Sequence, residues 1–363
     1  MKIRIIVDAH IFDHSFQGTA TYIHGLYTTL VENEHVEITL AAHNINHLRT
    51  IFTDSRFKFV SLKSSSSYKR LLFEYPKLIK EGKYDYAHFQ YVVPFFKHTR
   101  FINTIHDVLF LKFKDFFPWS YRVSRGIFFR FSAKRSDVIL TVSNYSRKHI
   151  AHDFKIKETL IHVTPNAVNS LPITTSEIKT KFGIRPYLLF VSRFEPRKNH
   201  IGLLNCYLSL KLYEQGLDLV FIGSKKEQIE IEAYYEVIEM IPQEVKGFIH
   251  FYEGLDHNTL SSFYKEATCF VFPSFAEGFG IPPIEAALAG CKVLCSNLTS
   301  MSDFSFFKYL FNPHEDGEME EQLMRALNDE YYPFETIKEQ VQLAYNWKKI
   351  SEDYFKILEE NKK

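Results

Sequence analysis

The 363-residue sequence predicts an α/β protein of two halves, each a mostly parallel sheet covered on both faces by helices. Three observations carry this. Short apolar runs recur along the chain, helical stretches separate several of them, and the alternation breaks at a polar stretch and then restarts. Strands alternating with helices imply parallel crossovers, and the length favours two domains over one core.

The first half opens with "IRIIVDA", read as a buried strand, then the polar loop "HIFDHSFQG" and the helical "TATYIHGLYTTLVEN". Strand-like runs follow at "VEITLAA", "FKFVSL", "YDYAHFQ", "RFINTIHD" and "DVILTVS". "SYRVSRGIFFRFSAKRS" and "NYSRKHIAHDF" are two of the helices between and after them. The polar "SLPITTSEIKTKFGIRP" is the linker candidate. The second half repeats the pattern with "YLLFVSR", "LDLVFIG", "GFIHFYEG", "TCFVFPS" and "KVLCS", and one of its helices is expected to start at Pro283. The closing "TIKEQVQLAYNWKKISEDYFKILEENKK" reads as one long amphipathic helical segment. The resulting divisions are 1–170, a linker over 171–184, 185–345 and a terminal helix over 346–363.

A hydrophobic content of 45% with 24% charged residues is that of a soluble globular protein. The net charge of +1, with both signs interspersed, gives no global pointer to nucleic acid. "MKIRIIVDAHIF" is not expected to act as a signal peptide, because its apolar run is short and Asp8 interrupts it. No stretch reaches the roughly 18 apolar residues of a membrane span. Cys206, Cys269, Cys291 and Cys295 complete no zinc pattern and are expected as buried free thiols of a reducing cytoplasm.

In open parallel sheets, ligands bind beyond the carboxyl ends of the strands, so the loops there are where chemistry is expected. "SRFEPRKNH" follows "YLLFV" and places Arg193 and Lys198 across a turn containing Pro196, with Arg197 beside them. A guanidinium fork and a mobile ammonium suit a diphosphate. A merely solvated basic loop is the alternative, but cations at a helix start oppose its dipole.

"PSFAEGFGIPPIEAALAG" follows "TCFVF". Gly278 and Gly280 permit unusual φ and close approach of main-chain N–H groups to a ligand. Pro283 suits a first helical turn, whose N–H groups would face an anion. Glu285 is expected in that turn, where a carboxylate is favourable in itself; the functional reading is acceptance of two hydroxyls from a ribose or sugar. Glu277 has no such structural reason. A hydrolytic carboxylate pair would have to flank one scissile bond, and the basic loop would be wasted on a neutral glycan. His106 ends "FINTI" and precedes Asp107, either as a hydrogen-bonded structural pair or as a neutral imidazole offered to a hydroxyl. Gly18 precedes a helix and could bring N–H groups near a phosphate. No Gly-x-Gly-x-x-Gly follows the first strand, no Walker pattern is present, and no Asp-x-Asp pair is available for a divalent ion on a diphosphate.

In this order the motifs resemble the retaining glycosyltransferases of family 4, group 1, which include bacterial α-mannosyl- and α-glucosyltransferases. The resemblance runs over nearly the whole chain. "FQGTATYIHGL" is similar to the family's amino-terminal glycine loop, with one glycine where many members have two or three. "TIHDV", "ILTVSNYSRKHI" and "VTPNAV", with Ala167 in place of glycine, follow. "VSRFEPRKNHIGLL" and "PSFAEGFGIPPIEAALAG" match the strongest signatures, and "YNWKKI" resembles the start of a helix that crosses back to the first domain.

The resemblance implies a GT-B fold of two Rossmann-like domains facing each other across a cleft. It implies that Arg193 and Lys198 bind the donor diphosphate and Glu285 the nucleotide ribose. Glu277 and the backbone of Gly278, Phe279 and Gly280 would hold the sugar, His106 would contact it from the opposite domain, and Gly18 would approach the phosphates or acceptor. Catalytic roles fall to His106 and Glu277.

The expected activity is metal-independent hexosyl transfer from a GDP- or UDP-linked sugar, with a lean to GDP-mannose, to a glycan or lipid-linked acceptor. The expected setting is bacterial polysaccharide or lipopolysaccharide assembly in the cytoplasm or on the inner membrane face, with no cofactor and no nucleic-acid partner. The basic, aromatic "KFKDFFPWSYRVSRGIFFRFSAKR" reads either as a peripheral contact with an anionic membrane or as a core-facing helix with a basic outer face. A sugar phosphorylase or epimerase on the same fold, and a catalytically silent glycan- or nucleotide-sugar-binding partner, are the alternatives.

Overall fold

The computed structural model describes residues 2–13, 18–168 and 178–362. Contacts divide the chain into two compact units, Met1–Ala167 with Tyr345–Lys363, and Val168–Ala344. Of the expected linker, 171–177 lie outside the described residues. Ile178–Phe182 beyond them is a short helix, and the Ile178 N–H donates to Glu266 Oε1 at 2.8 Å. Of the expected loop at 10–18, residues 14–17 also lie outside the described residues, while His10–Asp13 form a single 3-10 turn.

In the first unit the described strands are β1 (Ile3–Asp8), β2 (Val36–Ala42), β3 (Lys58–Ser61), β4 (Tyr86–Gln90), β5 (Arg100–Thr104), β6 (Val138–Thr141) and β7 (Ile161–Val163). They form one sheet in the order β3-β2-β1-β4-β5-β6-β7, with every pairing parallel. The central strand β1 is buried at every position but Arg4, and strands covered on both faces take such continuous apolar runs. The chain winds outward from β1 to β3 and then, after β4, outward the other way. The β1/β4 boundary is therefore the switch point, and the loops after those strands diverge there.

The closing segment is helical, as its periodicity suggests, but broken, and its last helix falls within the terminal helix expected over 346–363. It is two helices, Phe334–Ala344 in the second unit and Trp347–Lys362 in the first. Asn346 makes the break: its side-chain oxygen accepts the N–H groups of Lys348 and Lys349 at 2.9 and 3.3 Å, capping the second helix.

That last helix packs on Gly18–Leu30 through a contact only glycine allows. A Cβ on Gly25 would fall 2.0 Å from Trp347 Cε2. Below this contact a buried polar relay joins the helices to the sheet. The Tyr27 hydroxyl lies 2.5 Å from His88 Nδ1 and 3.0 Å from the Tyr354 hydroxyl, and His88 Nε2 lies 2.8 Å from Thr104 Oγ1. Tyr86 donates to the Leu358 carbonyl at 2.7 Å.

The second unit holds β8 (Tyr187–Val191), β9 (Asp218–Ile222), β10 (Ile249–Tyr252), β11 (Cys269–Phe272), β12 (Val293–Ser296) and β13 (Tyr309–Phe311). Their order is β10-β9-β8-β11-β12-β13, again parallel throughout, so the switch point lies between β8 and β11. The four cysteines are buried free thiols. Among the described residues no helix is long and apolar enough to cross a membrane. Nor, among them, does any group of three or more His, Cys, Asp or Glu cluster as metal ligands would.

Two outcomes follow from the first unit. Helix propensity alone makes Gly25→Ala stabilising by about 1 kcal/mol, but the indole leaves no room, and overpacking costs roughly 1–3 kcal/mol. Chemical denaturation should show a net loss, which a smaller side chain at Trp347 reverses. The second outcome concerns pH. Burial lowers His88 and His106 from the ordinary 6.5 to about 3. Below pH 6.5 the unfolded chain takes up protons that the folded one refuses until about pH 3. Stability should therefore fall from pH 6.5 downward, before the carboxylates titrate, by about 1.4 kcal/mol per pH unit for each histidine. A urea midpoint that stays flat between neutrality and pH 5 would contradict this.

Candidate active site

Both signature loops leave the second sheet at its switch point. One follows β8 and carries Arg193, Glu195, Arg197 and Lys198; the other follows β11 and carries Glu277 through Gly280. The first is pressed against the sheet by Gly223 at the end of β9, where a Cβ would lie 1.7 Å from the Ser192 carbonyl oxygen. Its turn ends at Asn199, in the left-handed region at φ 62°. Asn199 Oδ1 accepts the Gly202 N–H at 3.1 Å, capping the helix His200–Ser209, and its Nδ2 donates to the Pro273 carbonyl at 3.2 Å. Asparagine tolerates that conformation and supplies both groups.

The two loops are then joined side by side. The Phe275 N–H donates to the Arg197 carbonyl at 2.9 Å, and Arg197 Nη1 donates to the Ala276 carbonyl at 2.7 Å. Lys198 Nζ lies 2.5 Å from Glu277 Oε1, and Arg197 Nη1 lies 3.1 Å from Glu277 Oε2. Glu195 links Arg197 (2.7 Å) to Arg193 (2.6 Å), and Arg193 reaches Glu230 at 3.0 Å. The result is a chain of alternating charge, Glu230–Arg193–Glu195–Arg197–Glu277–Lys198.

Burial would raise the Glu277 carboxyl, but Lys198 and Arg197 outweigh it and hold the group down to about 2. Burial and the neighbouring Arg197 draw Lys198 below the ordinary lysine range, against the pull of Glu277 and Glu195. Glu277 is therefore an anion at neutral pH and no proton donor.

Glu285 is placed differently from the expectation. The helix is Ile281–Leu288, not a helix from Pro283, because Gly280 at φ 100° starts it two residues earlier. Pro282 and Pro283 fill the first turn, and Glu285, the fifth residue from Ile281, lies beyond it. The helix dipole is thus no explanation for the acid, since that effect fades within the first turn. Instead the buried Tyr264 hydroxyl donates to Glu285 Oε2 at 2.8 Å, and burial raises the Glu285 carboxyl above the usual range.

Sequence reasoning passed over the segment after β12, "SNLTSMSDF", yet it sets the glycine turn. Thr299 stands at φ 55°, unusual for a β-branched residue, and its Oγ1 accepts the Glu277 N–H at 2.9 Å. The single hydroxyl hydrogen of Ser300 is shared between the carbonyls of Glu277 (2.9 Å) and Phe279 (2.8 Å). A trans peptide sets C=O and N–H antiparallel. Holding those two carbonyls on Ser300 therefore turns the Gly278 and Gly280 N–H groups to the opposite side. A strained, β-branched residue within hydrogen-bond reach of the turn is the signal, and only the backbone angles reveal it.

In the first unit His106 is 6% exposed and follows β5. Its Nε2 lies 2.9 Å from Gln90 Oε1, at the end of β4, and its ring meets Tyr22 edge-on at 5.1 Å. The neighbouring Asp107 carboxylate accepts the Leu109 N–H at 3.1 Å. Burial keeps the imidazole neutral down to about pH 3. Gly18 is the exposed first residue of its helix, with open space where a Cβ would point.

The Thr299 and Ser300 bonds make a paired prediction. Thr299→Val and Ser300→Ala each strand buried polar partners and should cost about 1–3 kcal/mol in unfolding free energy. Thr299→Gly loses the same bond but relieves the left-handed strain, so it should be the milder of the two changes at 299. A Thr299→Gly protein less stable than Thr299→Val would show that the strain is not there.

Comparison with known proteins identifies the family. The family model described as "Glycosyltransferase Family 4" matches residues 16–170, and that described as "Glycosyl transferases group 1" matches 174–349. "O-antigen chain mannosyltransferase B" of Escherichia coli is 30% identical over 230 residues, 60% of this chain and 60% of that protein. "O-antigen chain mannosyltransferase RfbU" of Salmonella typhimurium is 26% identical over 260 residues, 67% of this chain and 68% of its own length. The match to the first of these relatives thus spans about three-fifths of that protein. Among solved structures, sucrose-phosphate synthase from Thermosynechococcus elongatus superposes with a TM-score of 0.78 at 17% identity, covering 99% of both chains. That likeness gives the fold as GT-B, and with the two family models spanning both units the chain belongs to the group 1, family 4 glycosyltransferases.

Proposed function

We propose that the chain is a retaining hexosyltransferase acting without a metal on a nucleotide diphosphate sugar, in the assembly of a surface polysaccharide or lipopolysaccharide. The observation that carries the reading is the pair of switch-point loops, where Arg197 and Lys198 converge on Glu277 beside an N–H-bearing glycine turn. In the reaction the anomeric carbon–phosphate oxygen bond breaks with its electron pair leaving on the diphosphate. The acceptor hydroxyl bonds to the same face of that carbon and its proton passes to the departing phosphate. Negative charge grows on the leaving group, so fixed cations and oriented N–H groups lower the barrier.

Within this reading, Lys198 and Arg193 exchange carboxylate partners for phosphate oxygens, and Glu277 is then released to accept sugar hydroxyls. Tyr264 orients one oxygen of Glu285, leaving the carboxylate to accept ribose hydroxyls. His106, neutral across the physiological range, meets a substrate hydroxyl without adding charge. Gly18 is assigned to the phosphates or acceptor. The names of the two relatives, both O-antigen chain mannosyltransferases, support mannose as the sugar. In this reading the donor nucleotide is GDP or UDP, with a lean to GDP, and the acceptor is a glycan or a lipid-linked glycan at the inner face of the cytoplasmic membrane.

Thermal shift against GDP, UDP and ADP identifies the nucleotide, and no response to any of them would sink the proposal. Lys198→Ala should weaken nucleotide diphosphate binding by at least about tenfold, as expected for a lost charge-assisted contact. Glu277→Gln should keep that binding and lose turnover. Equal loss of binding in both variants would refute this division of labour. NMR of the product from GDP-mannose should show the α-anomer, and activity should survive a chelator.

A further inference from the structure

The helix Trp119–Arg135 buries only Phe129, Ser132 and Ala133, so it is not the core-facing helix with a basic outer face that its sequence also allows. Apart from Phe129, its large apolar side chains are exposed to solvent instead. Trp119 is 73% exposed, Val123 41%, Ile127 63% and Phe131 36%. These four recur every fourth residue and so form one stripe along the helix. Phe95, 55% exposed, stacks on Phe131 at 5.8 Å and carries the stripe onto the loop after β4.

Cations border the stripe. Residues 112–135 contain seven Lys or Arg against a single acid, Asp115. The Arg135 guanidinium lies over the Phe95 and Phe131 rings at 5.7 and 5.5 Å, and that of Arg125 lies over Tyr121 at 5.3 Å. An exposed apolar stripe of this size is out of place in water. The combination of Trp and Phe rings, aliphatic Val and Ile, and flanking Lys and Arg matches the boundary between acyl chains and headgroups. A nucleic acid would stack on the rings and bind the cations, but it has no use for Val123 and Ile127.

We infer that the stripe Trp119–Val123–Ile127–Phe131, extended by Phe95, is a docking surface for an anionic lipid bilayer, its apolar side chains entering the interface while the bordering cations pair with lipid phosphates. The inference deepens the proposed transfer to a lipid-linked acceptor by naming the surface that holds the enzyme at the membrane. It rests on that reading for its purpose, but its test needs no turnover.

The test is flotation of the full chain with mixed phosphatidylglycerol–phosphatidylcholine vesicles and with pure phosphatidylcholine vesicles. The chain should float with the first and much less with the second, and binding should weaken as salt is raised. Trp119→Ser with Ile127→Ser should reduce vesicle binding by at least tenfold. So should Arg125→Glu with Lys134→Glu, since each cation near an anionic surface contributes about fivefold. Nucleotide thermal shift on the same variants should be unchanged, which shows that they are folded. Failure of wild-type to bind either vesicle, or undiminished binding by both variants, overturns the inference and leaves nucleotide binding unaffected. A wild-type dimer by light scattering that Trp119→Ser with Ile127→Ser converts to a monomer also overturns it, because the stripe would then be covered by a second copy.

Discussion

The contact between the Lys198 ammonium and the Glu277 carboxylate is the constraint around which the second unit's site is arranged. Each is buried, and neither charge is tolerable there alone. Once the two loops after β8 and β11 bring them together, every neighbouring group falls into an alternating sequence of charge out to Glu230. The loops cannot drift apart without leaving a charge unpaired. The three cations Arg193, Arg197 and Lys198 are thus held in position by carboxylates of the protein itself.

That clamp positions the acid but not the turn beside it. The turn's direction comes from a third loop, after β12, in which Thr299 and Ser300 hold one N–H and two carbonyls. Three adjacent strands, β8, β11 and β12, therefore each contribute one layer of the same site: cations, acid and glycine turn, and the support for that turn. Parallel winding makes this economical, because the carboxyl ends of neighbouring strands lie side by side. Tyr264, on the helix His257–Glu266, plays a comparable supporting part for Glu285.

The first unit shows a different division. Its inner face is a relay of Tyr27, His88, Tyr354 and Thr104 that fastens the returning C-terminal helix, and the close packing of Gly25 on Trp347 fixes that helix's approach. Its outer helix, Trp119–Arg135, commits Phe129 and Ala133 to the core but leaves Trp119, Val123, Ile127 and Phe131 exposed. Core rigidity and an exposed apolar stripe are compatible because they lie on different elements.

By itself the sequence determined the α/β alternation, both parallel sheets, and the loops in which Arg193, Lys198, Glu277 and Glu285 sit. Apolar runs and Gly, Pro and charged punctuation are local features, and strand-end loops follow from them. Tertiary structure alone decided who partners whom. Arg197, which looked like a bystander, bridges the loops. His106 pairs with Gln90, sixteen residues away, while Asp107 caps a local turn. Glu285 lies past the first turn because of the φ at Gly280. Thr299 and Ser300 carried no visible signal, since a backbone angle and a hydrogen bond across 22 residues leave no periodicity to read. The outer helix shows the same limit: a sequence states which residues are apolar, but only packing determines which of them the core has room for.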